Sequence, residues 1–129
     1  GFRLWGQDLH TEHTPYEAGL GWAVDLDTDF IGKEAIEAAT AEGIDSEATP
    51  IILDDSTDIL RTGCPVLVDG EAQGYVQAAD FGYSIGYTYL PVEHADAGTS
   101  VQVRCEGDLY KATVRDEPLF DPGRDRIIR

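Results

Sequence analysis

Methionine is absent from the sequence, and lysine is rare: only Lys33 and Lys111 occur in 129 residues. A newly translated chain begins with methionine, whereas this one begins with Gly1, so we expect a processed chain or a piece of a longer protein. No apolar run approaches the roughly 20 residues that a membrane-spanning helix requires, and no basic or apolar leader stands at the start. The sequence therefore predicts a cytoplasmic protein with no membrane partner.

Cysteine is also scarce, with only Cys64 and Cys105. Neither belongs to a C-x-x-C pair, so the two cannot form a zinc site alone. Both lie in apolar, strand-like stretches, and this context favours two buried free thiols. A disulfide stays open, because it requires Cα atoms only about 4.4–6.8 Å apart.

Acidic residues dominate the charge: 25 Asp and Glu stand against 9 Lys and Arg, which gives a net charge of -16. Such a charge repels nucleic acid and anionic membranes, so we expect neither as a partner. Two explanations remain open: an acidic face for a basic partner, or adaptation to molar salt, which screens repulsion beyond about 3 Å. The even scatter of the acids and the few lysines favour salt adaptation.

The length suits one compact domain, and the pattern of the sequence changes near residue 49. Before it, the run from Thr14 to Glu17 predicts a capped helix that continues to about Val24, and Phe30 begins a second helix that ends near Gly43. After it, apolar residues alternate and turn signals recur, which is typical of β-strands. Six strands are predicted, at residues 50–54, 65–69, 72–79, 83–90, 100–106 and 109–115.

We therefore predict a mostly β protein in which a short two-helix linking segment, residues 1–48, precedes a barrel domain, residues 49–129. Six short strands with regular turn signals are typical of a small antiparallel barrel. Residues 118–129 are expected to form an irregular tail.

Two histidines and a glutamate near the start, His10, Glu12 and His13, are the candidate metal ligands. A helical zinc pair has its histidines four residues apart, whereas these are three apart in a stretch that precedes a helix. With no evident third ligand, we favour a polar lead-in to a capped helix and expect no metal. No G-x-S-x-G or complete dinucleotide signature occurs, so no catalytic residue is assigned.

Two further groups could bind ligands. Tyrosines alternate between Tyr83 and Tyr89 and could stack on a planar ligand, although such alternation more often packs a barrel face. Three arginines between residues 124 and 129 could bind a carboxylate bidentately, although a solvated tail paired with nearby acids is favoured.

A series of short stretches runs along the chain in a specific order: RLWGQDL (3–9), TPYEAGLGWAV (14–24), DFIGKEA (29–35), RTGCPV (61–66), GYV (74–76), IGY (85–87), AGT (97–99) and PLFDP (118–122). In this order they resemble the C-terminal region of the aminomethyltransferase family. That family includes the T-protein of the glycine cleavage system and the folate-binding regions of dimethylglycine and sarcosine dehydrogenases.

The resemblance implies a Greek-key barrel that closes over a folate cavity, in an enzyme that transfers a one-carbon unit from an amine donor to tetrahydrofolate. The family's catalytic aspartate and most of its folate contacts belong to an N-terminal region that this sequence lacks. No catalytic residue is therefore carried over, and the chain alone is expected to be inactive. The resemblance implies folate-binding roles for Trp5 at the pterin pocket, Arg126 at the glutamyl end, and Arg61, whose turn could instead be structural.

The implied partners are the N-terminal region of the same chain, folate, a small amine donor and, for a true T-protein, a lipoyl carrier protein. The stretch from Gln77 to Tyr83 is shorter than the loop that T-proteins usually carry, and the two ends look closer to the dehydrogenase-linked branch. Two alternatives thus stay open: the folate half of an amine dehydrogenase or folate-dependent demethylase, and a non-catalytic barrel that acts as a binding module.

Overall fold

A computed structural model describes residues 3–55, 57–80 and 84–116. The predicted tail, including Arg126, lies outside the described residues. Within them the chain is mostly β, as predicted. The elements are one α-helix and six strands: α1 (Lys33–Glu42), β1 (Ser46–Leu53), β2 (Pro65–Val68), β3 (Glu71–Asp80), β4 (Ile85–Pro91), β5 (Ser100–Cys105) and β6 (Asp108–Val114).

The six strands form a closed antiparallel barrel in the order β1-β4-β3-β2-β5-β6. β2, β3 and β4 pair consecutively, and β5 returns to lie beside β2, which is the Greek-key arrangement. β1 closes the barrel by pairing with both β4 and β6. The barrel expected from the alternating sequence is thus confirmed.

Two tight turns follow from residues that tolerate positive φ. Asp69 and Gly70 have φ of 50° and 86°, as the hairpin signal predicted. The last hairpin turns at Glu106 and Gly107, with φ of 53° and 101°, one residue before the predicted Gly107-Asp108 turn. Asp108, which was predicted in the turn, is therefore the first residue of β6.

The interior of the barrel is aliphatic. Its buried cluster combines alternate residues of the strands with one loop residue: Ile51, Leu53, Leu60, Val66, Val68, Val76, Leu90, Val101, Val103, Cys105, Ala112 and Val114. Burying each of its valine, leucine and isoleucine side chains contributes about 1.5–3 kcal/mol relative to exposure. This cluster supplies the main driving force for folding of the domain.

The predicted two-helix segment is wrong in its first half. The capping box forms, since Thr14 N–H donates to Glu17 Oε2 at 2.7 Å and Glu17 N–H donates to Thr14 Oγ1 at 3.2 Å. The chain then makes a single turn and leaves the helical path at Gly19, whose φ is +69°. A short 3-10 helix over Gly21–Ala23 replaces the rest. Glycine promotes this exit because it destabilises a helix interior and adopts positive φ without a steric penalty.

The second predicted helix is confirmed as α1, and Gly43 ends it with a φ of 91°. It begins at Lys33, later than the predicted Phe30, because Gly32 takes a positive φ of 92°. The described part of the chain contains no helix long and apolar enough to cross a membrane.

The prediction of two free thiols is wrong in this structure. Cys64 and Cys105 form a disulfide, with their Cα atoms 5.3 Å apart. The barrel brings them together because Val66 of β2 pairs with Val103 of β5. In the same antiparallel register, Cys64 lies two residues before Val66 and is opposite Cys105, two residues after Val103.

Candidate functional site

The N-terminal segment, residues 3–20, lies against the outer face of β4 and the start of β1. Ala48 N–H donates to the carbonyl of Glu17 at 2.8 Å, and Tyr89 Oη donates to the carbonyl of Asp8 at 2.7 Å. A small apolar cluster seals this contact: Ala18, Ala48 and Tyr89, with Leu9 and Leu20 beside them. The segment is thus fixed to the barrel at two points.

The tyrosines of β4 face away from the barrel interior. Thr88 and Leu90 are fully buried, and Leu90 belongs to the interior cluster, so Tyr87 and Tyr89 point to the opposite face. The guanidinium of Arg3 lies 4.9 Å from the ring centre of Tyr87, a cation–π distance. The alternation therefore packs the outside of the barrel against the N-terminal segment. Tyr83 lies outside the described residues.

Both candidate histidines take part in this packing. The His13 ring stacks on the Tyr89 ring with centroids 3.5 Å apart and an interplanar angle of 7°. His10 Nε2 lies 3.2 Å from Gln77 Nε2 of β3, and its ring centre is 4.9 Å from that of His13. No group of three potential metal ligands is found among residues 3–55, 57–80 and 84–116. The histidines connect the segment to two strands.

Glu17 is the polar anchor of the segment. Its Oε1 accepts from Ser46 Oγ at 2.9 Å, and its Oε2 accepts from Thr14 N–H. Burial alone would raise the pKa of this carboxyl, but the hydrogen bonds from Thr14 and Ser46 outweigh it and hold the pKa below its usual value. The carboxylate is therefore ionised at neutral pH and joins the segment to β1.

Burial lowers the pKa of His13 below its usual value, although the nearby Glu17 carboxylate opposes the shift. The closest approach is 3.9 Å, between His13 Nδ1 and Glu17 Oε1. His13 therefore stacks on Tyr89 as a neutral ring at neutral pH. Burial likewise raises the pKa of Tyr89, so its hydroxyl keeps the proton that it donates to Asp8.

Trp5, a predicted folate contact, stands on a tight turn and is 70% exposed. The turn is closed by a hydrogen bond from Gly6 N–H to the carbonyl of Leu9 at 2.7 Å and one from Asp8 N–H to the carbonyl of Leu4 at 2.8 Å. Asp8 Oδ2 also accepts from Leu4 N–H at 2.8 Å. The structure thus presents a large aromatic ring to the surface on an ordered backbone.

Arg61, the second predicted contact, lies in the loop between β1 and β2. Its Nη1 is 2.5 Å from Glu106 Oε1, which belongs to the turn between β5 and β6. The neighbouring Gly63 has a φ of +85°, and Cys64 begins the bridge to Cys105. Arg61 is thus engaged in an ion pair with the β5–β6 turn, and Arg126 lies outside the described residues.

Other large apolar side chains are exposed on the segment that precedes α1. Trp22 is 84% exposed, and Ile31 is exposed completely. An open depression around Phe30 and Ile31 extends along the first turns of α1. The sequence predicted Trp22 within the first helix and Ile31 within the second.

The contact between Tyr89 and Asp8 was missed at the sequence level. The two residues are 81 positions apart, and neither has a recognisable motif around it. Only the closure of the barrel brings the outer face of β4 beneath the start of the chain.

Residues 49–121 match the glycine cleavage T-protein C-terminal barrel domain. The chain belongs to this family. The match covers all six strands except the first residues of β1, so the aminomethyltransferase resemblance is confirmed for the barrel.

Relatives of the barrel domain are aminomethyltransferases. A probable aminomethyltransferase of Haloarcula marismortui is 36% identical over an alignment of 129 residues. The alignment covers 94% of this chain and 35% of the relative. An aminomethyltransferase of Nostoc sp. is 36% identical over 123 residues, covering 91% of this chain and 32% of the relative. The chain thus spans about a third of the length of the curated relatives that it matches.

The barrel domain also resembles a solved structure. The glycine cleavage system aminomethyltransferase T from Bartonella henselae has a TM-score of 0.83 at 23% identity, covering 91% of this chain and 35% of that chain. At this identity the likeness concerns the fold. It extends beyond the barrel into the N-terminal segment, since 91% of the chain is covered.

Proposed function

We propose that this chain is the C-terminal domain of a tetrahydrofolate-dependent aminomethyltransferase-like enzyme, and that it caps the enzyme's folate cavity. The whole enzyme would transfer a one-carbon unit from an amine donor to tetrahydrofolate. Catalysis would require the N-terminal region, so the chain alone is inactive. The observation that carries the proposal is Trp5, which is 70% exposed on an ordered turn in a chain of this family.

An exposed indole suits the pterin ring of folate, because both are flat and aromatic. Stacking of an aromatic side chain on a heterocyclic base contributes about 1–3 kcal/mol. Two depressions of the described surface, around Ile31 and around Asp54, are open to solvent. A domain with this surface would supply one wall of a cavity and depend on another part of the enzyme for the rest.

Other exposed apolar residues before α1 support the same arrangement. Leu4, Trp5, Trp22 and Ile31 all precede α1 and are more than half exposed. Large exposed apolar surfaces mark sites where another protein surface or a ligand binds. We assign these four exposed side chains to contact with the N-terminal region of the parent enzyme.

The two arginines proposed to bind folate, Arg61 and Arg126, are considered separately. Arg61 is exposed but already paired with Glu106, so a folate carboxylate would have to compete with that ion pair. The Arg61–Glu106 pair is better suited to holding the two turns together beside the disulfide. Arg126 is kept as the proposed contact to the glutamyl end of folate.

A titration of the chain with a stable tetrahydrofolate analogue, 5-formyltetrahydrofolate, tests the proposal. Tryptophan fluorescence would report binding in molar KCl, and circular dichroism would confirm folding. Trp5→Ala should weaken binding by about fivefold to 150-fold, the equivalent of 1–3 kcal/mol. Trp22→Ala, which removes the other exposed tryptophan, is the matched control.

The same titration should be run on the parent enzyme, where the cavity is complete. If the parent enzyme binds no folate analogue, the proposed function is wrong. If it binds the analogue with equal affinity with and without Trp5, the domain does not contribute this wall. A flavin spectrum in the parent enzyme would favour the dehydrogenase-linked alternative.

A further inference from the structure

Asp8 takes part in three of the hydrogen bonds that hold the turn carrying Trp5. Asp8 Oδ2 accepts from Leu4 N–H at 2.8 Å, and Asp8 N–H donates to the carbonyl of Leu4 at 2.8 Å. The carbonyl of Asp8 accepts the hydroxyl of Tyr89 at 2.7 Å. Asp8 therefore closes the turn around Trp5 and also connects that turn to the barrel.

Tyr89 is itself held rigidly. Its side chain stacks on His13, and the residue as a whole is only 7% exposed. On its own strand it lies between the fully buried Thr88 and Leu90, which fixes the backbone of β4. The Tyr89 ring is thus held both by its own strand and by the His13 ring of the N-terminal segment.

From this geometry we propose that Tyr89 and Asp8 are positioning residues for Trp5: they hold its indole at the orientation in which it receives the folate ring. The proposal rests on the proposed function. Its physical basis is preorganisation, since a side chain ordered before binding loses less conformational freedom when the ligand arrives. Without the Tyr89 hydroxyl, the turn keeps its local bonds but loses the hydrogen bond that joins the Asp8 carbonyl to the barrel.

The Tyr89→Phe substitution separates the hydrogen bond to Asp8 from the packing of the ring. Tyr89→Phe keeps the ring, its stacking on His13 and its packing against Ala48, so most of the buried area is retained. What it removes is a single hydrogen bond, which contributes about 0.5–1.5 kcal/mol. The loss falls on the Trp5 turn, because the acceptor is the Asp8 carbonyl.

Two readouts in the 129-residue chain test the proposal. The Trp22→Phe background makes Trp5 the only tryptophan. Acrylamide quenching and time-resolved anisotropy then report the mobility of Trp5, well below the melting temperature and without any ligand. The affinity for 5-formyltetrahydrofolate is the second readout.

We expect Tyr89→Phe and Asp8→Asn each to increase the mobility of Trp5. Each should also weaken analogue binding by about twofold to tenfold, while circular dichroism stays unchanged. Tyr75→Phe removes the hydroxyl of an exposed tyrosine on β3 and is the matched control. Both readouts should be unaffected in that control.

The possible failures are distinguishable. If Tyr89→Phe lowers the melting temperature but leaves the mobility of Trp5 unchanged, the role is structural and the positioning proposal is overturned. If Trp5→Ala weakens binding and Tyr89→Phe does not, the folate site stands and positioning is again overturned. If the parent enzyme binds no analogue, the proposed function fails, and the mobility of Trp5 alone then decides whether Tyr89 orders the turn.

Discussion

Reduction of the Cys64–Cys105 bridge should destabilise the barrel strongly. The bridge joins the residue before β2 to the last residue of β5, two strands that already pair in the folded state. Its removal therefore changes the folded contacts little. The main effect is on the unfolded chain, which gains the freedom of an open loop of 41 residues.

The magnitude follows from loop closure. A sequence separation of 41 residues corresponds to an entropy of about 13 cal/mol/K, or about 4 kcal/mol at 25 °C. A domain of this size is stabilised by only about 5–15 kcal/mol in total. With a urea dependence of about 1–3 kcal/mol per molar, the midpoint of unfolding should fall by between about 1 and 4 M.

The assay is urea unfolding in molar KCl, followed by circular dichroism with and without dithiothreitol. Thiol titration of the unfolded, untreated chain should find no free thiol, and two after reduction. A Cys64→Ala/Cys105→Ala variant is the control, because its stability should not respond to the reductant. Two reactive thiols before reduction, or an unchanged midpoint after it, would refute the reasoning and restore the free-thiol interpretation.

Three further predictions concern packing, pH and salt. Gly74→Ala should lower the free energy of unfolding, measured in urea titrations, by about 1–3 kcal/mol or more. The added Cβ would overlap the carbonyl of Tyr89 and lie 2.9 Å from Thr88 Oγ1. An unchanged stability would contradict this packing. Since the pKa of His13 is lowered in the folded chain, the unfolded chain takes up a proton more readily below about pH 6.5. Stability should therefore fall from pH 7.5 to 5.5 and fall less in His13→Gln, and equal slopes would show that His13 is not responsible. With a net charge of -16, the melting temperature should rise between 0.05 and about 2 M KCl as repulsion is screened, and sucrose at equal osmolality should not reproduce the whole rise.

The strands were predictable because each carries its own signal. Pro65–Val68 and Glu71–Asp80 are joined by Asp69 and Gly70, residues that accept the positive φ of a tight hairpin. The alternation of apolar residues then determines which side chains enter the barrel. Both signals are local, so they can be recognised without knowledge of the rest of the fold.

The first helix was not predictable in the same way. Thr14 and Glu17 do form the capping box that the sequence indicates, but a capping box starts a helix without determining its length. Gly19 and Gly21 then decide the outcome together with the tertiary structure. A Cβ at Gly21 would lie 2.7 Å from Cδ1 of Tyr16, so the chain folds back on that ring instead of continuing the helix.

The sequence by itself thus determined the mostly β class, the six strands, one helix and the family, because these depend on local periodicity, turn residues and ordered motifs. Only the tertiary structure decided that Cys64 meets Cys105, that the tyrosines of β4 face outward, and that Tyr89 supports the turn of Trp5. These contacts join residues 41 and 81 positions apart. Their formation depends on strand order and barrel closure, which no short stretch of sequence contains.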